Sequence, residues 1–553
     1  MKRALLLLPV LLLCFAVSAQ ETYKITYHYF REGAMIKQDP VVVFAQKGSS
    51  INSKLSQISG QTRYPAEMSQ YDYAKNTVTR YTLLTANQVI SMKDTTSLKR
   101  YSYEKLPDQG NMLGYKTFKA KTSLNSNSIE IIYTTDLGIQ AAPNDVGQAF
   151  GLVLEYKVNG NSGLRAASIE KLKSLPVEAQ LPKNSVLQDE LSYKDIIWKR
   201  KFIQIPIFQN QQICFQPGIA SDSIMRFAEG TVILKKVKIP YVSLNSQAFI
   251  ELVQTSNGDA YDRTGSVFLI AEDQKQSFLD GMKDSVNVLP KYLDGNGQAF
   301  PGMIRTEGFS PVYELMRFFT PFGVKHFNDR VKLKGKTWQD SAMYRQEISE
   351  FLPELAGKEV YIGTYIGNYD KGGHKVSLEL TIHPGRSIYP EGTKVMSLFN
   401  TTNILEMAGQ EYPTMYGHEK GLEFEFIVPA DMKNVKLRYI STGHGGWGNG
   451  DEFNPKPNTI FLDGNKVIQF TPWRIDCGSY RLYNPVSGNF ENGLSSSDLS
   501  RSNWCPGTIT NPVYIDLGDL KAGKHIIKIH IPQGAAEGTS KSFWNTSGTL
   551  VYQ

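Results

Sequence analysis

The sequence predicts a mostly β protein: two adjacent antiparallel jelly-roll (β-sandwich) domains preceded by a β-rich N-terminal domain with a few helices. Three observations predict it. Short runs of alternating apolar and polar residues recur along the chain, the period of a half-buried strand. Turn clusters such as Asp294-Gly295-Asn296-Gly297 separate the runs. Strands do not alternate with long helices, which disfavours a parallel α/β enzyme. At 553 residues the chain is too long for one ordinary domain. With 20% charged and 41% apolar residues, general disorder is excluded.

The first element is a targeting signal. Lys2 and Arg3 precede an apolar run from Ala4 to Val17, and Val17-Ser18-Ala19 is a small-residue cleavage site, so residues 1–19 are expected to be a signal peptide. Leu13 before Cys14 argues against lipid attachment. No later run reaches ~18 apolar residues, so no membrane span is expected. The protein is expected to be exported, periplasmic or secreted. In an oxidising compartment Cys477 and Cys505 are the natural disulfide pair, and Cys214 is left as a small buried hydrophobe. The net charge of +7 is not clustered, so no nucleic-acid stripe is present. No zinc-ligand spacing, HExxH or Walker loop occurs, so no metal or cofactor is expected. The lack of heptads argues against a coiled-coil assembly, and a monomer is expected.

Residues 20–220 form the first expected domain. Its strand signals are Val41–Phe44, Ser128–Tyr133 and Leu152–Val158, the last followed by Asn159-Gly160. Two helices are expected after them: one from Ile169, Leu172 and Leu175 up to Pro176, and one through Leu187, Leu191 and Ile196-Ile197. Residues 221–385 form the second domain, with strands at Val237–Val242, Ser266–Ala271 and Ser377–Ile382; Pro240 marks an edge. Residues 386–553 form the third, with Leu422–Phe426, Asn458–Leu462 and Ile527–Ile531. His530, between two Ile, is expected on a solvent face.

Three stretches could carry chemistry. In Asn257-Gly258-Asp259-Ala260-Tyr261-Asp262-Arg263, a carboxylate beside a guanidinium could act as a positioned base; the same residues are also ordinary turn chemistry. Thr442–Phe453 holds His444, Trp447, Asp451 and Glu452 among five glycines, more than a hairpin needs. Arg501-Ser502-Asn503-Trp504-Cys505-Pro506-Gly507 would fix an arginine and an indole beside the disulfide, where the arginine could pair with a buried acid.

Together with Phe318-Phe319-Thr320-Pro321-Phe322, these stretches resemble the peptide:N-glycosidase F family over about 225–553. The resemblance implies two eight-stranded jelly rolls with the site between them, a bowl-like N-terminal domain in longer members, and hydrolysis of the amide joining an N-glycan to Asn. It places the catalytic acids on Asp262 and Glu452, the site arginines on Arg263 and Arg501, and the sugar-lining residues on Tyr365, His444 and Trp504. Asp262 would activate water with Arg263 keeping it anionic. Arg501 would hold Glu452, which would contact the glycosylated Asn or the sugar through water. Partners would be N-glycosylated proteins or glycopeptides carrying the chitobiose core. A third family carboxylate falls on Gly363, and Gly258, Gly450 and Asn454 stand where smaller members carry Cys. The alternatives are a glycoside hydrolase cutting within chitobiose with the same two acids, and a non-catalytic N-glycan binder.

Overall fold

The computed structural model describes residues 21–553 except 218–220, 222, 273, 324–333, 386, 391, 409–414, 447–448 and 486–495. The expected signal peptide 1–19 lies outside the described residues, as do Trp447 and Gly448. The chain divides between Lys201 and Phe202 into two compact units. The expected boundary at 220 therefore falls too late. Ile203–Ile213 is a strand that pairs with His374–His383 and belongs to the second unit.

The first unit is built on one 13-stranded sheet between Thr22 and Leu187, antiparallel apart from the short Val186-Leu187 strand. The helix expected at 169–175 is absent. Ser162–Leu172 is a strand, and Ile169 lies opposite Ile25 of Thr22–Arg31. The i, i+3, i+6 spacing of Ile169, Leu172 and Leu175 loses to cross-strand pairing, which buries Leu164 and Ala166 on the core face. The second expected helix is Glu190–Lys199. Asp189 caps it by accepting from the amides of Leu191 and Ser192. Its Tyr193 packs with Leu84, Ile90 and Met92.

The second unit holds two pairs of facing sheets. In the first pair, Ile203–Ile213, His374–His383, Gln247–Ser256 and Ala342–Glu347 form one sheet. The facing sheet runs Met225–Phe227, Val232–Lys238, Glu359–Ile366, Thr264–Leu269, Tyr313–Phe319 and the two-residue strand Ile509-Thr510. Pro240 lies just beyond Val232–Lys238, whose last four residues pair on one side only, with Glu359–Ile362, so it stands at a free edge of the sheet. In Gln247–Ser256 the inward positions are Ala248, Ile250, Leu252, Gln254 and Ser256. Ile250 opposes Leu380 and Leu252 opposes Leu378, and a one-residue slip of Gln247–Ser256 would turn Ile250 and Leu252 away from the core. Each such buried aliphatic contributes about 1.5–3 kcal/mol. The stripe turns polar at Gln254 and Ser256, the end that feeds the loop at 257–263.

The second pair joins Lys394–Asn400, Ser542–Tyr552, Met432–Gly445 and Val513–Leu520 in one sheet, and Leu422–Val428, Gly523–His530, Asn458–Leu462 and Asn465–Phe470 in the other. Half-buried His530 alternates with buried Ile529 and Ile531. Two buried ion pairs fasten the jelly rolls together. Arg317 pairs with Glu314 and donates onward to Thr402, Thr442 and the carbonyl of Asn545. Arg438 pairs with Glu350 and donates to the carbonyls of Glu314 and Leu315.

Candidate active site

Asp262 sits one residue before Arg263, at the entry to the strand Thr264–Leu269. Buried Thr320 clamps its backbone: Thr320 Oγ1 donates to the carbonyl of Tyr261 and accepts from the amide of Arg263, and the Thr320 amide donates to the carbonyl of Arg263. This is what the Phe318–Phe322 segment contributes. Within the same loop Arg263 does not reach for Asp262. Its Nε donates to Asp259 Oδ2 at 2.6 Å and its Nη2 to Oδ1 at 3.2 Å. His374 Nε2 lies 3.3 Å from the same carboxylate, while the Gln254 amide meets His374 Nδ1 at 3.0 Å. With Gln254 donating, the imidazole carries its proton on Nε2 and donates to Asp259. Burial alone would raise Asp259, but His374 and Arg263 outweigh it and hold it at about 2.

Glu452 follows the 14-residue strand Met432–Gly445. The chain turns back on itself here: a Cβ on Gly446 would stand 2.2 Å from the Gly450 Cα, and the φ of Gly446 is +74°. Only glycine fits that crossing. Buried Asp451 anchors the loop by accepting from Trp544 Nε1 and the Gly534 amide. The Ser502 amide donates to the carbonyl of Glu452, and the amide of Gly443 donates to that of Ser502. The loop is thus stitched to the segment that carries Arg501. That segment is fixed from behind by the Cys477–Cys505 disulfide and by paired backbone bonds between Arg474 and Arg501.

The two acids meet at Arg501. Its side chain is fully buried; Nη1 lies 3.2 Å from Asp262 Oδ2 and also donates to Glu452 Oε1. Nη2 donates to the carbonyl of Ser496, and Nε has no partner among the described residues. The guanidinium lies 4.2 Å from the Trp504 ring centroid and 5.0 Å from that of Phe453. Asp262 and Glu452 keep 17% and 20% of their side-chain surface in solvent, enough for a reactant to approach. Burial pushes Asp262 above the usual carboxylate value against the pull of Arg501 and Arg263. Burial also pushes Glu452 up to about 7, with Arg501 opposing and the charge of Asp262 adding to the rise.

The lining residues fall differently from expectation. His444 is 5% exposed, stacked on Phe543 at 5.1 Å and hydrogen-bonded to Thr442. Burial, helped by Arg317 and Arg501, drives its pKa far below the usual histidine value, so it is neutral. Trp504 is 3% exposed, stacked on Phe319 at 4.4 Å, and donates to the carbonyl of Gly443. Tyr365, 2% exposed, lies in an apolar cluster and donates to Glu406. All three are packed groups that support the site from below rather than open ring faces. A Cβ on Gly363 would meet the Phe268 ring at 2.3 Å, so that position has no room for a carboxylate.

Sequence reasoning placed Asp259 in a candidate stretch without a role of its own and passed over His374, Tyr369 and Glu406. Tyr261 and Tyr369 are 58% and 60% exposed and flank the Arg263 guanidinium at 4.9 and 5.9 Å. Tyr369 also donates to Glu406. The spacing Asp259-x-x-x-Arg263 was the available signal for the first pair. His374, 115 residues further on, had none. Among the described residues, no cluster of three or more His, Cys, Asp or Glu could hold a metal.

The pattern described as "Peptide-N-glycosidase F, N terminal" matches residues 204–382, and "Peptide-N-glycosidase F, C terminal" matches 411–551. Residues 25–195 match "N-glycanase peptide, N-terminal domain". A solved structure of PNGF-II in space group C2 is 50% identical over 96% of this chain and 98% of its own, with TM-score 0.87. A second, in space group P21, is 50% identical over 96% and 99%, with TM-score 0.89. The chain belongs to the peptide-N-glycosidase F family. It is a hydrolase, a peptide-N4-(N-acetyl-β-glucosaminyl)asparagine amidase. No curated protein sequence matches it.

Proposed function

We propose that this peptide-N-glycosidase works with Asp262 as general base and Glu452 as its partner acid, both held by Arg501. The convergence of these two carboxylates, 190 residues apart in sequence, on one nitrogen of one buried guanidinium carries the reading. Asp262 takes a proton from water as the water oxygen attacks the side-chain carbonyl carbon of the glycosylated Asn. The tetrahedral intermediate collapses by breaking the carbon–nitrogen bond. Glu452, pushed up to about 7 chiefly by burial, is the acid that holds a proton near neutral pH and gives it to the leaving nitrogen. The products are Asp and a 1-amino-N-acetylglucosamine glycan. Arg263 serves Asp259 and the loop, so it positions Asp262 through the backbone rather than by direct pairing.

The substrates are N-glycoproteins, with Tyr261 and Tyr369 offering open faces to the sugar or peptide. The N-terminal targeting pattern and the disulfide support export to the periplasm or beyond. Digestion of a glycopeptide in ¹⁸O water followed by mass spectrometry tests the chemistry. The label is expected in the new Asp carboxyl. N-acetylglucosamine left on Asn would mean a glycosidase instead.

A further inference from the structure

Beside Asp262 the loop 257–263 carries a second carboxylate, Asp259, which takes no part in the steps above. Asp259 is buried, and donors reach both of its oxygens. Oδ1 accepts from the Tyr261 amide at 3.2 Å and from Arg263 Nη2 at 3.2 Å. Oδ2 accepts from Arg263 Nε at 2.6 Å and from His374 Nε2 at 3.3 Å. His374 opens the strand His374–His383; its ring is buried and held at Nδ1 by Gln254. The backbone is anchored as well. The amides of Asn257 and Asp259 donate to the carbonyl of Gly373, and the Asp259 carbonyl accepts from Ser256 Oγ. Asp259 is therefore fixed, and it grips Arg263 in a two-pronged, charge-assisted pair.

Arg263 is the immediate neighbour of Asp262 in sequence, and an arginine there is a ready counter-ion for the base. Instead its guanidinium is turned to Asp259, between the rings of Tyr261 and Tyr369. Among the described residues, Arg501 is the cation within ion-pair distance of Asp262. Burial raises the pKa of Asp262 and Arg501 opposes it; of the smaller influences, Arg263 pulls it down and Asp259 pushes it up. Asp259 itself, at about 2, is anionic throughout the neutral range. A carboxylate shared between two guanidinium groups would be a weaker proton acceptor.

We propose that Asp259, backed by His374, is a positioning residue for the amidase: it draws the Arg263 guanidinium off Asp262 and leaves that carboxylate to Arg501, free to take the proton of the attacking water. This rests on Asp262 being the base. The charged groups that face Asp262 are Arg501, Glu452, Arg263 and Asp259, and His374 acts through Asp259.

The pH profile of kcat/KM on a short glycopeptide tests this. In Asp259→Asn the pair loses its negative charge, Arg263 is left unmatched, and Asp262 stays ionised to lower pH. The acid limb should move down by about half to one pH unit, and kcat should fall about fivefold or more with KM within about twofold. The alkaline limb, set by Glu452, should move less. His374→Gln keeps an N–H for Asp259 and should retain more of kcat than His374→Ala. Where Arg263→Gln has already removed the cation, adding Asp259→Asn should change kcat by less than about twofold. That double variant strands no charge, so it decides the matter even if Asp259→Asn alone does not fold. An unmoved acid limb in folded Asp259→Asn overturns the proposal, as does a further loss beyond about twofold in the Arg263→Gln background. Failure of the underlying assignment shows separately: Asp262→Asn would remain active, or the glycopeptide product would keep N-acetylglucosamine on Asn.

Discussion

Among the described residues of the second unit, three arginines are almost wholly buried, and they divide into two kinds. In the seam between the jelly rolls, Arg317 and Arg438 each face one carboxylate, and every guanidinium nitrogen has an acceptor. In the cleft, Arg501 faces two carboxylates through one nitrogen, and its Nε has no partner among the described residues. The chemistry of the side chain is the same, and the accounting around it is not. Where the charges are matched, the group fastens structure. Where two acids are buried together against one cation, burial outweighs the cation's pull and holds both above their ordinary values, Glu452 at about 7, close to neutrality.

The largest expected effect lies in the cleft. Asp262→Asn should lower kcat/KM by about 10²–10⁴ with little change in Tm, followed by glycopeptide mass spectrometry and calorimetry. A variant as active as the parent would erase the distinction drawn here. The seam should answer in the opposite currency. Glu314→Gln strips Arg317 of its counter-charge and should cost about 3–5 kcal/mol in denaturant unfolding, while activity of the folded fraction stays near normal. A large loss of kcat with unchanged stability would make Arg317 a cleft residue.

Glu452 sharpens the contrast through pH. Its folded pKa, about 7, lies above the ordinary 4.5, so the protonated form is favoured by folding. That contribution is present below about 4.5 and is lost as pH rises through about 7. Glu452→Gln should therefore gain Tm relative to the parent between pH 5 and pH 8, although it loses activity. A Tm difference that does not vary with pH would contradict the raised value. In the parent, kcat/KM should fall on the alkaline side as Glu452 gives up its proton, and on the acid side as Asp262 takes one. The smallest effect should come from Tyr261→Ala, which removes an exposed ring. KM should rise about two- to tenfold with kcat nearly unchanged. A change confined to kcat would move Tyr261 from binding to positioning.

Much of this was legible in the sequence because strands with one dry face leave a period-two trace. Leu422–Phe426, Asn458–Leu462 and Ser377–Ile382 all lie within observed strands. Asp262, Glu452 and Arg501 were found through the neighbours that short motifs keep. What stayed hidden depended on the third dimension. Arg263 chooses Asp259 over its immediate neighbour because His374 arrives from a strand 115 positions away. His444 and Trp504 looked like open rings in a glycine-rich sequence, but the strand Ser542–Tyr552 and the Phe319 ring cover them. The false helix at Ile169–Leu175 shows that three aliphatics at helical spacing do not decide structure when a partner strand is waiting.

The two-residue strand Ile509-Thr510 comes from the C-terminal part of the chain yet completes the sheet of the preceding jelly roll, alongside Arg317 and Phe318. Cutting the gene between the two sandwiches would leave an open hydrogen-bonding edge and an unpaired Glu350 on one product and a stranded Arg438 guanidinium on the other. Neither half is a portable module, so the pair must be inherited, shuffled and lost as one.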